Sequence, residues 1–274
     1  MSSRCRTGRS VRGFRLPPCV SFEERRELEN IIVEGLLSLE GDLKGDYLPL
    51  HGSRSYADKP GGMSLKKEKV LRSNGILFQE PDSTHLLSAG MGRHWPDARG
   101  IFHNNDANMF VWVNEEDHMR IVSMEKGDDF KRIITRFSNA TAQIQNVLKE
   151  KGKNPFLIRN IKQFLGHDFM HSEHLGWVLT CPSNLGTGLR ASSMVKIPKF
   201  SSREDFTAVL DKMGLQARGP NGIDSISTDG TWDISNTHRI GKSEVQLINI
   251  LIEGKNNFSK NTELNLVNQF VIIF

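Results

Sequence analysis

Three segments of the chain place apolar residues at the spacing of an amphipathic α-helix. The first covers residues 21–40 and opens with Ser21 and Glu24 at capping-box spacing. The others cover residues 128–151 and 202–213, and each of the three segments is directly followed by a glycine, a residue that commonly ends helices. We interpret the apolar stripes as surfaces that face the core, and we assign them no chemistry.

Shorter apolar runs between these helices predict β-strands. Residues 108–114 (NMFVWVN) and 119–124 (MRIVSM) flank a short acidic turn, so we expect them to pair as a hairpin. Residues 177–181 (WVLTC) form another predicted strand, and residues 193–197 (SMVKI) could return antiparallel to it. The run 246–253 (QLINILIE) fits either a helix or a strand.

This mixed order of helices and hairpins favours the α+β class, an antiparallel β-sheet flanked by α-helices. The chain has 274 residues, of which 37% are hydrophobic and 25% are charged, as in an ordinary globular protein. No apolar run approaches the ~18 residues that a membrane span needs, so we expect no membrane span. A secretory signal is not expected either, because the N-terminus lacks an apolar stretch.

The cysteines and the N-terminal arginines bear on the cellular compartment. Cys5, Cys19 and Cys181 are too few for a disulfide framework and form no CxxC pair, which favours the reducing cytoplasm. Five arginines precede the first acidic residue, Glu23, and this composition resembles a mitochondrial transit peptide. Prolines and glycines in the same stretch would interrupt an amphipathic helix, so we expect the cytoplasm and keep the mitochondrion as the alternative.

The net charge of +4 and the pI near 9.0 permit nucleic-acid binding without requiring it. Because the basic residues are spread along the chain, we expect no nucleic-acid partner. One local concentration, formed by Lys66, Lys67, Lys69 and Arg72, is interpreted as a solvated loop or helix face.

The acidic turn of the predicted hairpin is the first candidate for chemistry. Glu115, Glu116 and Asp117 are adjacent, and because three carboxylates repel one another, a cation should compensate them. One interpretation is a solvated acidic turn. The other is a carboxylate that binds a guanidinium group, a planar cation suited to bidentate pairing. Arg120, on the next strand, could face a phosphate.

Two further segments carry candidate residues. Cys181 stands at the end of a predicted strand, before a loop with two glycines and Arg190. Backbone N–H groups in such a loop could activate the thiol or bind an anion, although a buried structural cysteine is the commoner case. Arg218 borders a turn rich in Gly, Pro and Asn, whose closure could carry the arginine onto a ligand.

Two familiar kinds of site are not indicated by the sequence. Residues 241–243 (GKS) look like the end of a P-loop, but position 236 holds Asn where that motif needs glycine. No metal-binding motif such as HExxH is present. Scattered arginines, a carboxylate cluster and a placed cysteine suit phosphoryl transfer by positioning and charge neutralisation.

Four motifs, in order, resemble the phosphagen (guanidino) kinase family, and its creatine branch in particular. They are residues 6–10 (RTGRS), 95–100 (WPDARG), 113–118 (VNEEDH) and 181–187 (CPSNLGT). The resemblance covers most of residues 2–254. It implies the family's catalytic domain, an antiparallel sheet flanked by helices of the glutamine-synthetase-like type, over residues 1–255. Residues 256–274 look like a divergent tail.

The resemblance also implies roles for individual residues. The residues that match those at the family's nucleotide are Arg4, Arg6, Arg120, Arg190, Arg218 and Asp233. Glu115 and Glu116 match the acidic pair near the guanidino group, with Glu116 as the catalytic carboxylate. Cys181 matches the reactive cysteine that positions the guanidinium. ATP or ADP would bind with Mg²⁺, which phosphates and water would hold, so no metal ligands are expected from the protein.

The expected activity is therefore reversible transfer of the ATP γ-phosphoryl group to creatine or another guanidino compound, with a homodimer as one expected assembly. Some features depart from the family. The resemblance implies a helical domain before Ser2, which supplies the loop over the guanidino substrate. Gly75 and Met194 stand where family members usually place a histidine on the adenine. These departures leave a second hypothesis, a non-catalytic fragment or pseudoenzyme.

Overall fold

An eight-stranded antiparallel β-sheet forms the centre of the protein. The computed structural model describes residues 2–151, 168–219, 227 and 229–261. The strands, in chain order, are β1 (Ser2–Arg9), β2 (Gly45–Pro49), β3 (Gly100–Asn104), β4 (Met109–Val113), β5 (Met119–Lys126), β6 (His171–Ser172), β7 (Gly176–Trp177), β8 (Leu189–Lys196), β9 (Leu215–Arg218) and β10 (Thr231–Asn236). The main sheet has the order β2-β3-β4-β5-β1-β8-β10-β9, and β6 and β7 form a separate hairpin.

The longest helices cover one face of the main sheet. The helices are α1 (Phe22–Leu37), α2 (Leu65–Ser73), α3 (Thr84–Ser88), α4 (Phe130–Lys151), α5 (Pro198–Ser201), α6 (Phe206–Lys212) and α7 (Glu244–Asn261). α4 packs on β1 and β5, α7 packs on β8 and β10, and α1 packs against α4 and β2. Their apolar sides bury a core with side chains such as Cys5, Ile121 and Ala191. The α+β class, with an antiparallel sheet flanked by helices, is confirmed.

A smaller core lies on the opposite face, at the β2–β5 end of the sheet. Phe110 and Val122 pack there with Leu77 and Phe78, which follow α2. Side chains on this face of β1, β8 and β10 are mostly polar or charged, because Arg4, Ser192 and Asp233 occupy alternate positions, and Met194 is an apolar exception. The fold therefore leaves polar groups together over the middle strands.

Several predicted elements are confirmed with shifted ends. α1 begins at Phe22, and Ser21 and Glu24 form the reciprocal capping box. It ends at Leu37 with Ser38 as its C-cap. The expectation that Gly41 ends this helix is therefore wrong. The hairpin of β4 and β5 and the helix α4 are also confirmed. The predicted third helix is shorter than expected, because α5 and α6 are separate helices.

One strand pairing predicted from the sequence is wrong. Of the run 177–181, only Trp177 is in a strand, β7, which pairs with β6. β8 pairs instead with β1 and β10. The ambiguous run 246–253 belongs to α7, which continues past position 255 to Asn261 and buries Leu247 and Leu251.

The arginine-rich N-terminal stretch, whose composition resembles a targeting helix, contains the central strand β1. Its residues alternate between the two faces of the sheet. Ser3, Cys5 and Thr7 are buried, while Arg4 and Arg6 are partly exposed on the other face. This alternation places two cations in the middle of the sheet without burying them in the apolar core. No helix among the described residues is long and apolar enough to cross a membrane.

His118 joins the end of the β4–β5 hairpin to the segment after β1. The imidazole is fully buried; its Nδ1 accepts a hydrogen bond from the Val11 N–H at 2.9 Å. Its Nε2–H donates to the Arg15 carbonyl, also at 2.9 Å, so the ring must be neutral to make both bonds. Burial lowers the pKa of His118 to about 4.

The lowered pKa of His118 predicts a loss of stability in mild acid. The unfolded chain binds a proton near the usual pKa of 6.5, whereas the folded chain binds it only near 4. The free energy of unfolding therefore decreases as the pH is lowered from 6.5 towards 4. Between about pH 7.5 and about pH 5, the free energy of unfolding should drop by about 2 kcal/mol more in the wild type than in His118→Gln. Urea denaturation at the two pH values measures this difference, and equal drops would contradict it.

Candidate active site

The strand register collects the predicted phosphate-binding residues on one face of the sheet. Arg6 on β1 lies directly opposite Arg190 on β8, and Arg120 on β5 lies opposite Gly8. Farther along, Asp233 on β10 lies opposite Arg218 on β9. Residues directly opposite in an antiparallel pair project from the same face. Residues far apart in sequence therefore share one surface with Arg4.

Asp233 connects two of these arginines. Its Oδ2 accepts a hydrogen bond from Arg4 Nη2 at 2.8 Å and another from Arg190 Nη2 at 3.0 Å. Burial alone would raise the pKa of Asp233, but Arg4 and Arg190 outweigh it and lower the pKa. Burial lowers the pKa of Arg190 to about 10 despite Asp233, so the arginine still carries its charge at neutral pH. The carboxylate thus fixes two cations side by side.

Other groups on this face have spare capacity for an anion. Burial lowers the pKa of Arg6, and Arg120, Arg190 and Arg4 lower it further. Within the described ranges, neither Arg6 nor Arg218 makes an ion pair, and Arg190 Nε is buried without a hydrogen-bond partner. Like charges this close repel one another, so a polyanion such as a nucleotide phosphate chain would stabilise the set.

The acidic turn surrounds Arg120. The Nη1 of Arg120 lies 3.2 Å from Glu115 Oε2, and its Nη2 contacts Glu116 Oε2 and lies 3.6 Å from Asp117 Oδ2. Burial alone would lower the pKa of Arg120, but the three carboxylates raise it. Arg120 is thus the compensating cation expected from the sequence. The turn itself is tight, since Asn114 adopts a positive φ of 56°.

Asp117 attaches the acidic turn to the cysteine segment. Its Oδ1 accepts a hydrogen bond from the backbone N–H of Thr180, the residue before Cys181, at 2.9 Å. Burial raises the pKa of Asp117 to about 6, although Arg120 opposes the shift. Packing is close here, because a Cβ at Gly8 would lie 2.6 Å from Asp117 Oδ2. Only glycine leaves room for this carboxylate.

Cys181 lies at the start of a 3-10 turn, Pro182–Asn184, and is partly exposed. Its Sγ lies 3.0 Å from the hydroxyl of Ser183. Cys5, by contrast, is in the core, and burial raises its pKa to about 12. Of these two cysteines, only Cys181 combines access to solvent with polar neighbours.

Arg239 belongs to the same cluster and was missed by the sequence analysis. Its Nη1 donates to the Ser183 carbonyl at 3.2 Å. Burial lowers the pKa of Arg239, Arg218 lowers it further, and Cys181 opposes the shift. Its position beside residues 241–243, the segment rejected as a P-loop, has no sequence pattern that marks it as a site residue.

No group of three or more His, Cys, Asp or Glu side chains that could hold a metal ion occurs in the described part of the chain. Acidic residues of the site are instead paired with arginines. The site can bind anions with its arginines, cations with Glu115 and Glu116, and it offers one accessible thiol.

A match to a known protein family accounts for this arrangement. The family described as "ATP:guanido phosphotransferase, C-terminal catalytic domain" matches residues 27–263. The chain belongs to this family. The resemblance inferred from the four motifs is confirmed. Phosphagen kinases, as the members are called, are phosphotransferases.

Individual relatives agree with the family and differ in their guanidino substrates. The chain is 47% identical to the flagellar creatine kinase of Strongylocentrotus purpuratus over 93% of its length and 20% of that relative. It is 46% identical to the testis creatine kinase of Oncorhynchus mykiss, over 93% of its length and 60% of that relative. The chain therefore spans well under two thirds of these curated relatives.

Two solved structures have the same fold. A lombricine kinase superposes with a TM-score of 0.83 at 37% identity, over 96% of this chain and 65% of that one. The duplicated taurocyamine kinase of Schistosoma mansoni gives 0.81 at 37% identity, over 96% of this chain and 32% of that one. The guanidino substrates for which these four relatives are named differ: creatine for two of them, lombricine for the third and taurocyamine for the fourth.

We predict that Cys181 is the fastest of the three thiols to be alkylated in the folded protein. Reactive cysteines lie in partly exposed surroundings that also hold positive charge, and Cys181 is partly exposed in a cluster that contains Arg239. Cys5 should react only after unfolding, because it is fully buried. Brief iodoacetamide labelling followed by peptide mass spectrometry gives the three rates. Faster labelling of Cys19, which is exposed but lies outside the cluster, would contradict the prediction.

Proposed function

We propose that the chain is the catalytic domain of an ATP:guanidino phosphotransferase that reversibly phosphorylates creatine. The observation that supports this proposal is that a group of arginines and a group of carboxylates lie in contact on one face of the sheet. Arginines suited to phosphates lie beside carboxylates suited to a guanidinium, and Arg120 contacts both Glu115 and Glu116. A phosphoryl donor and a guanidino acceptor would meet where the two systems touch.

In the proposed reaction, a guanidino nitrogen attacks the γ-phosphorus of ATP in line with the leaving ADP oxygen. The N–P bond forms, the P–O bond to ADP breaks, and the nitrogen loses a proton to Glu116. The reverse reaction returns that proton and regenerates ATP. Little covalent chemistry is asked of the protein, so its contribution is position and charge.

Four arginines, here called the phosphate clamp, would neutralise the phosphates during transfer; they are Arg4, Arg6, Arg190 and Arg218. Arg4 and Arg190 both bind Asp233, while Arg6 and Arg218 would be available for phosphate oxygens. Mg²⁺, when bound with the nucleotide, supplies further neutralisation of the β- and γ-phosphates. Fixed donors in a partly buried site cost no reorganisation when charge develops.

Glu116 and Cys181 would hold the acceptor from two sides. Glu116 faces Arg120 in the free protein, so a guanidinium arriving with its own positive charge can replace that internal contact. The released Arg120 is then available to a phosphate. Asp117 keeps the two segments in register through the Thr180 N–H, so Glu116 and Cys181 approach the acceptor together.

Creatine is our preferred acceptor because the curated relatives at 46% and 47% identity are creatine kinases. The structural relatives at 37% identity act on lombricine and taurocyamine. We also propose that residues 1–255 form the catalytic domain with 256–274 as a divergent tail, that the protein acts in the cytoplasm, and that it forms a homodimer. The alternative is a non-catalytic fragment or pseudoenzyme, which binds a nucleotide or none, and Gly75 and Met194 at the two expected adenine positions favour it.

A panel of acceptors tests the proposed function. Phosphorylation of creatine, lombricine and taurocyamine from MgATP should be followed by ADP release, first for the 274-residue chain and then for the chain fused behind a family N-terminal domain. We expect creatine to be the best acceptor and the fusion to be faster, since misplacement of an acceptor by ~1 Å can cost ~100-fold in rate. MgADP binding without turnover in either form would favour the non-catalytic alternative.

Nucleotide binding should depend on the clamp. Arg190→Ala should weaken MgADP binding by ~1.5–3 kcal/mol, the scale of a hydrogen bond to a charged group. Isothermal titration calorimetry measures the change, and Arg12→Ala is the matched control because Arg12 is exposed and lies outside the cluster. Equal affinities for the wild type and Arg190→Ala would remove Arg190 from the proposed clamp.

A further inference from the structure

Two arginines outside the proposed active site are among the most buried side chains of the protein. Arg25 on α1 is 1% exposed, and Arg99, which precedes β3, is 0% exposed. Burial lowers the pKa of Arg25 to about 10 and that of Arg99 to about 9. Both values lie well above neutral, so two positive charges are buried here at pH 7.

Among the described residues, their hydrogen bonds go only to neutral carbonyl groups. Arg25 Nη2 donates to the Pro17 carbonyl at 3.1 Å. Arg99 Nη2 donates to the carbonyls of Met91 and Arg93, at 3.0 and 2.9 Å. The Nε and Nη1 of Arg25 and the Nε of Arg99 are buried without a partner among the described residues. Three donors of the pair are therefore unused.

Neighbouring charges increase the imbalance. Arg25 lowers the pKa of Arg99, and Arg93 lowers that of Arg25. The pKa of His94 is lowered by burial and then by all three arginines. A carboxylate, Asp97, acts on both buried arginines from a distance. Its oxygens are already taken by Arg26, at 2.7 and 3.2 Å, and by a backbone N–H at 3.1 Å.

Buried ions of one sign are costly unless an opposite charge compensates them, and the effective penalty is several kcal/mol for each ion. An internal water molecule could satisfy the unused donors but would leave the charge uncompensated. We propose that Arg25 and Arg99 form a binding site for one small inorganic anion, of which chloride is the representative. The exposed side chains of Arg93 and His94 mark its route to solvent.

The burial of the unused donors favours a small anion over a larger one. The unused N–H groups are inaccessible to solvent, so a ligand with a bulky organic part would not reach them. Guanidinium groups recognise halides and oxyanions through the same N–H donors. Nothing bulkier than a few atoms is therefore expected to bind there.

Bound at this site, an anion would act on the acidic turn. Asn114, the first residue of the turn, donates through Nδ2 to the backbone carbonyls of Arg25 and Ala98, at 3.2 and 2.9 Å. Arg99 and Glu115 attract each other through space. The anion would weaken that attraction and so leave Glu115 more tightly associated with Arg120.

Crystals of the full chain soaked in sodium bromide test the site directly. Anomalous scattering should show bromide within hydrogen-bonding distance of Arg25 Nη1 and Arg99 Nε. Any of three results would overturn the proposal. The first is a water molecule alone between Arg25 and Arg99, and the second is bromide only beside Arg4 and Arg190. The third is a carboxylate of a second copy of the chain bound between Arg25 and Arg99.

Thermal unfolding provides the solution test. At constant ionic strength, Tm in sodium chloride should exceed Tm in sodium gluconate by about 2–4 °C when chloride is about ten times its Kd. Arg190→Ala, which alters the phosphate clamp, should keep this difference, whereas Arg99→Met should lose it. If Arg99→Met does not fold, the ³⁵Cl NMR linewidth of the Arg190→Ala protein shows whether chloride binds. No chloride-dependent broadening there would overturn the site.

Discussion

Glu116→Gln should reduce the rate of creatine phosphorylation by about 10³-fold while leaving MgADP binding nearly unchanged. A positioned general base contributes about 10²–10⁴-fold, and glutamine keeps the size of the side chain but cannot accept the proton. The Glu116 side chain is partly exposed and contacts Arg120, so it is placed to receive both the guanidinium and its proton. Coupled assays in both reaction directions, in whichever form of the protein turns over, measure the effect.

Matched substitutions distinguish the role of Glu116 as the general base from the effect of removing a negative charge. Glu173→Gln removes an exposed carboxylate away from the cluster and should leave the rate within twofold, as ~±0.5 kcal/mol surface effects imply. Glu115→Gln removes a second contact of Arg120, and its rate should lie between the rates of Glu116→Gln and Glu173→Gln. A Glu116→Gln protein that retains most of its activity would show that another group takes the proton, with Glu115 the first to examine.

Asp233→Ala should lower the free energy of unfolding by about 3 kcal/mol, because removal of one partner from a buried ion pair leaves the other uncompensated. Here one carboxylate serves two arginines, Arg4 and Arg190, and Arg190 is buried as deeply as Asp233 itself. The loss should therefore be larger than for an ordinary surface pair, whose contribution is about 0–1 kcal/mol.

Urea denaturation without nucleotide measures this loss. Asp211→Ala is a suitable control, since Asp211 is an exposed carboxylate on α6. Added MgADP should restore part of the lost stability of Asp233→Ala, because phosphate oxygens can replace the missing carboxylate beside the arginines. Equal unfolding free energies for Asp233→Ala and Asp211→Ala would mean that the arginines relax towards water instead of depending on Asp233.

The sequence predicts the local elements of this fold better than their assembly. Ser21 and Glu24 locate the start of α1 within one residue, because a capping box is a local interaction. The β4–β5 hairpin is predicted for the same reason. β1 is not predicted, because alternating arginines and small residues carry no apolar pattern. Its strand character comes from partners more than a hundred residues away.

The sequence predicts those members of the candidate site that stand in motifs and not the others. The acidic pair and Cys181 stand in motifs, and the structure places them near one another. Asp117 was read only as part of a charge cluster, since its burial and its bond to Thr180 depend on tertiary packing. Arg239 lies in a loop whose sequence has no regular pattern, so only the three-dimensional structure relates it to Ser183.

The central place of β1 has a consequence for synthesis on the ribosome. β1 and β5 can pair once the first half of the chain has emerged, but β8, the neighbour on the other side, is made some seventy residues later. Until then β1 is an open edge strand, a template for pairing with other nascent chains. Arg4 and Arg6 on that edge would make such pairing unfavourable, since two copies brought together would set like charges side by side. Residues proposed to bind phosphates in the finished protein would thus protect the unfinished one from aggregation.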